Sequence, residues 1–269
     1  MKKKVFISLT VAVVVISSVA LNSINKNGEN KIIKYKKENT EKEKVVVANR
    51  STKEFESVSK KVEKKYEGEA LNVVEHNGKT KIYEKNDEGS QVISIINDYD
   101  KVELLETLPK GWFKVKLGDG QIGYADARYI RSEKVPPHNY NENSSEWVLK
   151  FNEENQKLRI YEGGKLVLES LGSSGLKDAF TPKGVFEIES GRRGDWAYIP
   201  RFEQGMKYWV GFKGSYLFHS IPFTEDQKII EEEAKKLGKP SSHGCIRLPI
   251  DISKYIYDKV PDGALVIIE

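Results

Sequence analysis

Between residues 70 and 134, apolar and polar positions alternate in short runs broken by turn-forming residues. The runs at 92–96, 101–105 and 112–117 carry the two-residue period of strands, and Gly118-Asp119-Gly120 predicts a tight hairpin into Ile122-Gly123-Tyr124. The alternation resumes at Trp147, where 147–151, 157–161 and 165–168 read as strands, with Gly163-Gly164 turning the second into the third. Runs at 185–188, 208–212 and 216–219 add three more, and the apolar run at 264–268 predicts a buried closing strand. Helical character is confined to two places. In the first, 224–237, Thr224 serves as the cap, Glu225-Asp226 complement the positive end, Lys235-Lys236 the negative end, and Gly238 stops the helix. The second is a shorter helix at 252–259. The pattern therefore predicts a mainly β chain with helical insertions. Its two folded parts are separated by Pro136-Pro137-His138-Asn139-Tyr140-Asn141-Glu142-Asn143, whose prolines keep it out of either sheet.

The N-terminal sequence follows neither period. Met1-Lys2-Lys3-Lys4 precedes an almost continuous apolar run at 5–21, and a basic start before such a run is read by the secretion machinery. The run lies between a long signal-peptide core and a short membrane span in length, and Ser18-Val19-Ala20 offers a cleavage site. On either reading the rest of the chain is expected outside the cytoplasm. Residues 23–66 are rich in Lys, Glu and Asn with few apolar anchors, the composition of a solvated spacer. The expected organisation is thus a signal peptide or membrane anchor at 1–22, a charged linker at 23–66, a small β domain at 67–135, a linker at 136–145 and a larger domain at 146–269. The formal net charge is only +4, with the excess in the first 65 residues. That distribution argues against nucleic acid as a partner.

Candidate chemistry gathers near the C-terminus. Cys245 is the only cysteine in the chain, so no intramolecular disulfide is available to it. It stands in Ser241-Ser242-His243-Gly244-Cys245-Ile246-Arg247-Leu248, with His219 upstream at the end of a predicted strand. A thiol attacks a carbonyl at neutral pH when it is ionised or has a base within hydrogen-bond reach. His243, fixed two residues before the thiol, can flank it without aligning for proton transfer. His219 can approach from a neighbouring strand, so it is expected to be the base and His243 a supporting or orienting group. Gly244 leaves the backbone N–H groups around Cys245 open to stabilise an oxyanion. A backbone carbonyl can fix the imidazole tautomer as well as a carboxylate can. Residue types alone leave two other readings open, a simply buried thiol and a zinc site, although one Cys and two His without paired carboxylates make a thin ligand set. His76 and His138 have no such companions and are expected at the surface.

At these residues the chain resembles the L,D-transpeptidase catalytic domain, also called the YkuD domain, over about residues 146–269. The resemblance is carried by Phe218-His219-Ser220, then Ser242-His243-Gly244-Cys245-Ile246-Arg247. Upstream, Gly172-Ser173-Ser174-Gly175 and Thr181-Pro182-Lys183-Gly184-Val185-Phe186 fit the family pattern, as does Pro261-Asp262-Gly263-Ala264-Leu265-Val266 near the end. The resemblance implies a β-sandwich-like domain and a cysteine transpeptidase of peptidoglycan, acting in cell-wall biogenesis without a cofactor or metal. Cys245 would attack the bond between residue three and the terminal D-Ala of a tetrapeptide stem, releasing D-Ala. The acyl group would pass to the side-chain amine of residue three on another stem, forming a 3→3 crosslink. It further implies His219 as base, the Ser220 carbonyl as its orienting group, and His243, Gly244 and Cys245 shaping the oxyanion site. Substrate contacts are expected from Ser242, Arg247, Tyr208 and Trp209, with a core role equally open for the two aromatics and a structural ion pair for Arg247. The 22 residues between His219 and Ser242 exceed the family's usual spacing, and the predicted 224–237 helix would account for the excess.

Gly111-Trp112-Phe113-Lys114-Val115, Asp119-Gly120-Gln121-Ile122-Gly123-Tyr124-Ala125 and Tyr129-Ile130 in turn resemble bacterial SH3-like domains. That resemblance implies a small barrel whose groove binds cell-wall peptide or glycopeptide, with Trp112 and Tyr124 either lining it or filling the core. Two readings compete with a transpeptidase. An L,D-carboxypeptidase or hydrolase on the same fold would pass the acyl group to water, and a cell-wall-binding protein would have lost catalysis.

Overall fold

The structure is a computed structural model that describes residues 65–269. The expected export segment at 1–22 and most of the expected spacer at 23–66 lie outside the described residues. Seven strands come first: β1 (Tyr66–Ala70), β2 (Lys79–Tyr83), β3 (Val92–Asn97), β4 (Lys101–Leu108), β5 (Trp112–Lys116), β6 (Ile122–Asp126) and β7 (Ile130–Ser132). They form one antiparallel sheet in the order β3-β2-β6-β5-β4-β1-β7. The predicted turn at 118–120 joins β5 to β6, with Gly120 N–H donating to the Leu117 carbonyl. Trp112 is buried and meets the Tyr83 ring edge-on at 5.5 Å, so most of it packs in the core, although an edge lines an open groove with Lys110, Glu187 and Lys213.

The second part carries two sheets. β8 (Trp147–Asn152), β9 (Lys157–Glu162), β10 (Lys165–Leu171), β11 (Gly184–Glu187) and β16 (Leu265–Ile268) form a five-stranded sheet in the order β10-β9-β8-β16-β11. The closing strand predicted from its apolar run is β16, which pairs in parallel with β8 at the centre of that sheet. β12 (Arg193–Ile199), β13 (Gln204–Lys213), β14 (Tyr216–Ser220) and β15 (Ile246–Leu248) form the other sheet in chain order, and β14–β15 is its parallel pair. Leu149, Phe151, Leu158, Ile160, Phe186 and Val266 from the first sheet share one core with Val210, Phe212, Phe218, Ile246 and Leu248 from the second. Helix α2 (Ile250–Lys259) adds Ile256 to it.

The same core continues into the N-terminal sheet through Phe113, Val115 and Ile130. Gly111 sits at this junction with φ +71°; its N–H donates to the Val185 carbonyl and its carbonyl accepts from Ala127 N–H. A side chain there would stand 2.5 Å from the Phe186 ring, so only glycine lets the two parts approach this closely. Buried Asp126 is bound by Lys213 at 3.0 Å and by Arg128 at 2.8 Å, which adds a charged tie to the apolar one.

The helix predicted at 224–237 is not formed. The only α-helix in that span is α1 (Glu231–Ala234), of four residues. Three features preclude the rest: Phe223 bridges to Gly205 and Ile229, the Thr224 hydroxyl accepts from Lys228 N–H, and Gln227 takes a left-handed φ of +59°. Thr224 therefore closes a turn and caps no helix. The excess length between His219 and Ser242 is mostly bridged turns, although Gly238 does take the left-handed φ of +89° that ends them. His138 is also less exposed than expected; it is half-buried against Tyr140, with Nδ1 lacking a partner.

Candidate active site

Two neighbouring parallel strands carry the key groups. The apolar run Tyr216-Leu217-Phe218 drives β14 into the core, and register pairs Phe218 with Ile246, His219 with Arg247 and Ser220 with Leu248. Cys245 immediately precedes β15. His219, Cys245, Ser242, His243 and Arg247 line one cleft, closed on the other side by Ile199, Phe202, Gln204 and Met206 of the β12–β13 hairpin and by Pro222. At about 40 Å³ the cleft has room for little more than one water. A groove of about 980 Å³ runs between β4 and residues 136–140, but neither Cys245 nor His219 lines it.

His219 is buried, and its Nδ1 lies 2.6 Å from the carbonyl oxygen of Ser220. That carbonyl can only accept, so Nδ1 carries the proton and Nε2 is left with a free lone pair. Ser220 is itself held, its hydroxyl donating to the Ile221 carbonyl and accepting from Lys207 N–H. Burial, then the nearby Arg247 charge, lowers the His219 pKa to about 4. Burial likewise pushes the Cys245 thiol up to about 11, with the Leu217 N–H and Arg247 opposing it. The Sγ of Cys245 sits 3.5 Å from the Ser215 carbonyl. At neutral pH the resting pair is therefore a neutral thiol beside a neutral imidazole.

The loop before Cys245 is held from three directions. Gly244 N–H donates to the Ser242 hydroxyl at 3.0 Å, and that hydroxyl donates to the Cys245 carbonyl. The Thr181 hydroxyl donates to the Gly244 carbonyl at 2.7 Å and accepts from Gly175 N–H at 2.9 Å. Ser174 N–H is fixed by the Gln156 side chain, and the Ser174 carbonyl accepts from the N–H of Ser242. The two motifs at 172–175 and 181–186 thus build the cradle in which the Cys245 loop rests. Gly244 has φ +114°, and a side chain there would meet the Tyr216 ring at 2.7 Å. One expectation changes as a result: with its N–H given to Ser242, Gly244 does not present that donor to an oxyanion.

The remaining sequence candidates divide. Ser242 lines the cleft, but its hydroxyl is engaged within the loop. His243 is exposed at its edge and lies flat on Phe202, ring centroids 3.9 Å apart; that partial shielding from water, then Arg247 and Arg201, lowers its pKa. Arg247 is 3% exposed and donates to Glu233 at 2.6 Å and Gln204 at 2.9 Å, while its Nε has no partner. Tyr208 and Trp209 are not brought to the cleft. Tyr208 packs near Tyr257 and Lys254 of α2, and Trp209 sits against Gly194 under Arg192. Phe202, Gln204, Met206 and Glu233 were not foreseen, because nothing in their local sequence marks them apart from other turn and strand residues. No cluster of three or more His, Cys, Asp or Glu suited to a metal ion occurs among the described residues.

Residues 146–268 match the family model described as the L,D-transpeptidase catalytic domain, YkuD. YciB of Bacillus subtilis (strain 168), a protein whose name proposes an L,D-transpeptidase activity, is 45% identical over 127 residues. The match covers 45% of this chain and 64% of that relative, so the chain spans less than two thirds of its length. Among solved structures, a fused zinc-dependent amidase/peptidase/peptidoglycan-binding domain-containing protein of Clostridium acetobutylicum is 28% identical, with coverage of 49% and 55% and a TM-score of 0.39. An L,D-transpeptidase of Mycobacterium smegmatis is 18% identical, with coverage of 61% and 70% and a TM-score of 0.40.

Proposed function

We propose that the protein is a peptidoglycan L,D-transpeptidase that forms 3→3 crosslinks through a thioester on Cys245. The observation that carries this reading is the pair on β14 and β15. His219 and Cys245 line one cleft, and the Ser220 carbonyl holds the imidazole with Nε2 free to take the thiol proton. As Sγ bonds to the carbonyl carbon of stem residue three, the proton moves to Nε2. When the C–N bond breaks, that proton leaves on the amine of D-Ala. The acceptor amine then attacks the thioester, passes its proton to Nε2, and the thiol is restored. The oxyanion donor role falls to backbone N–H groups at Cys245 itself, since that of Gly244 is engaged. His243 shapes the mouth with Phe202, and Arg247 lies behind the cleft, held by Glu233 and Gln204.

In the same reading the N-terminal sheet is an SH3-like module that holds the chain to cell-wall glycopeptide. Residues 1–22 export or anchor it facing the wall; no helix among the described residues is long and apolar enough to cross a membrane. The test incubates the full-length chain with disaccharide-tetrapeptide and identifies products by mass spectrometry, with Cys245→Ala as control. A dimer formed with loss of one D-Ala, absent in the variant, supports the transpeptidase. Tripeptide without dimer would turn the reading to an L,D-carboxypeptidase, and no product to a cell-wall-binding protein.

A further inference from the structure

The segment between His219 and Ser242 brings one acidic side chain back to the cleft. Glu233 of α1 is 17% exposed and ion-pairs with Arg247 at 2.6 Å and Lys236 at 2.5 Å. Arg247 is clamped at its backbone too, exchanging hydrogen bonds with Ser173, so its guanidinium has little freedom beyond Glu233 and Gln204. In register Arg247 lies directly opposite His219, one strand away. A buried guanidinium next to a general base is a hazard, because a positive potential resists the imidazolium that catalysis must form.

We propose that Glu233 is a positioning residue: its carboxylate pins and neutralises Arg247 so that His219 can accept the Cys245 proton. This rests on the proposed transpeptidase reading. The other charged or titratable groups facing this cluster are Lys236 just beyond α1, Arg201 and His243 at the hairpin side, and Tyr216 beside Cys245. None of them supplies an anion, so the balance at Arg247 depends on Glu233. Removing the carboxylate raises the formal charge of the Arg247–Lys236–Glu233 cluster from +1 to +2, strengthening the positive potential in the cleft. The two reacting groups then respond in opposite senses: the thiolate is stabilised while the imidazolium is disfavoured.

That opposition separates positioning from simple structural support. In the full chain, Glu233→Gln should shift the pH midpoint for alkylation of Cys245 by iodoacetamide downward by roughly half to one unit, a three- to tenfold faster reaction at fixed pH below the midpoint. D-Ala release from disaccharide-tetrapeptide should fall about tenfold in kcat over the same change. Glu233→Asp should restore both toward the parent. In an Arg247→Met background, Glu233→Gln should change either readout less than about twofold. The proposal is overturned if alkylation slows or keeps its midpoint while release falls, or if Glu233→Gln has its full effect without Arg247. Melting temperature, read alongside, identifies a variant that has merely lost its fold, for which Glu233→Asp then decides. If the parent chain releases no D-Ala, the transpeptidase reading fails, and the alkylation midpoint still tests the Glu233–Arg247 coupling.

Discussion

Thr181 offers the cleanest test of how the Cys245 loop is held. Its side chain is 2% exposed, and one hydroxyl satisfies two buried backbone groups, Gly175 N–H and Gly244 C=O. Thr181→Val keeps the shape of the side chain and removes both hydrogen bonds. Leaving a buried donor or acceptor unpaired costs about 1–3 kcal/mol, so two such groups cost about 2–6 kcal/mol. We take ~3 kcal/mol, since Gly244 adjoins the cleft and its carbonyl can regain a water. For a folded body of this size that lowers the melting temperature by roughly 6–12 °C. Catalysis should suffer beyond stability, because Gly244 is bonded directly to Cys245. A displacement of the nucleophile by about 1 Å costs on the order of a hundredfold in rate. The assay is thermal unfolding together with D-Ala release measured well below the transition. Thr181→Ser, which retains the hydroxyl, should stay close to the parent in both. A Thr181→Val variant that melts within about 2 °C of the parent and turns over normally would refute the assignment of these two hydrogen bonds as the loop's support.

Two further outcomes follow from geometry and from protonation. Gly111→Ala forces a left-handed φ on a side-chain-bearing residue and drives its methyl into Phe186, so it should destabilise the protein by roughly 2–4 kcal/mol in a urea titration. His219 has its folded pKa lowered from 6.5 to about 4, so the unfolded chain binds the extra proton first as pH falls. The stability this contributes is complete above about pH 6.5 and lost progressively down to about pH 4, on the order of 3 kcal/mol. His219→Gln should flatten that acid slope, and an unchanged slope between pH 7 and 4 would count against a buried neutral imidazole.

Much of the architecture could be read from residue pattern because strands with one buried face must alternate. The runs beginning at Val92, Lys101, Trp147 and Lys157 become strands extended by one to three residues, and the run from Trp112 becomes one that stops a residue short. β12 escaped notice because it has no fully buried side chain and therefore no sharp alternation. β15 escaped because it holds three residues, Ile246, Arg247 and Leu248, with a charged one in the middle. The 224–237 helix failed for a different reason. Thr224 and the following acids satisfy a cap signature, but Phe223 bridges both Gly205 and Ile229, and a short, highly charged helix has too little apolar face to displace that pairing. Within the cleft, Ser242, His243, Cys245 and Arg247 were legible because they stand together in sequence, and His219 because its strand lies beside theirs. Gln204 and Glu233 reach Arg247 from other segments, and only tertiary structure brings them there.

The protonation states of the pair bear on how the proposed thiol chemistry would run. With the thiol near 11, only about one molecule in ten thousand carries a thiolate at pH 7. A permanently ionised cysteine outside the cytoplasm would be the form most open to oxidation. Here the sulfur rests against the Ser215 carbonyl in a cleft too small for a peptide, with Phe202 and His243 stacked at its edge. In the proposed reaction the entering carbonyl supplies what the resting site lacks. As the S–C bond forms, negative charge moves from sulfur to oxygen, and the thiol proton can pass to Nε2 without a free thiolate ever being populated. The positive potential of Arg247 works against that transfer at His219, which is why the anion that balances it belongs to the same device.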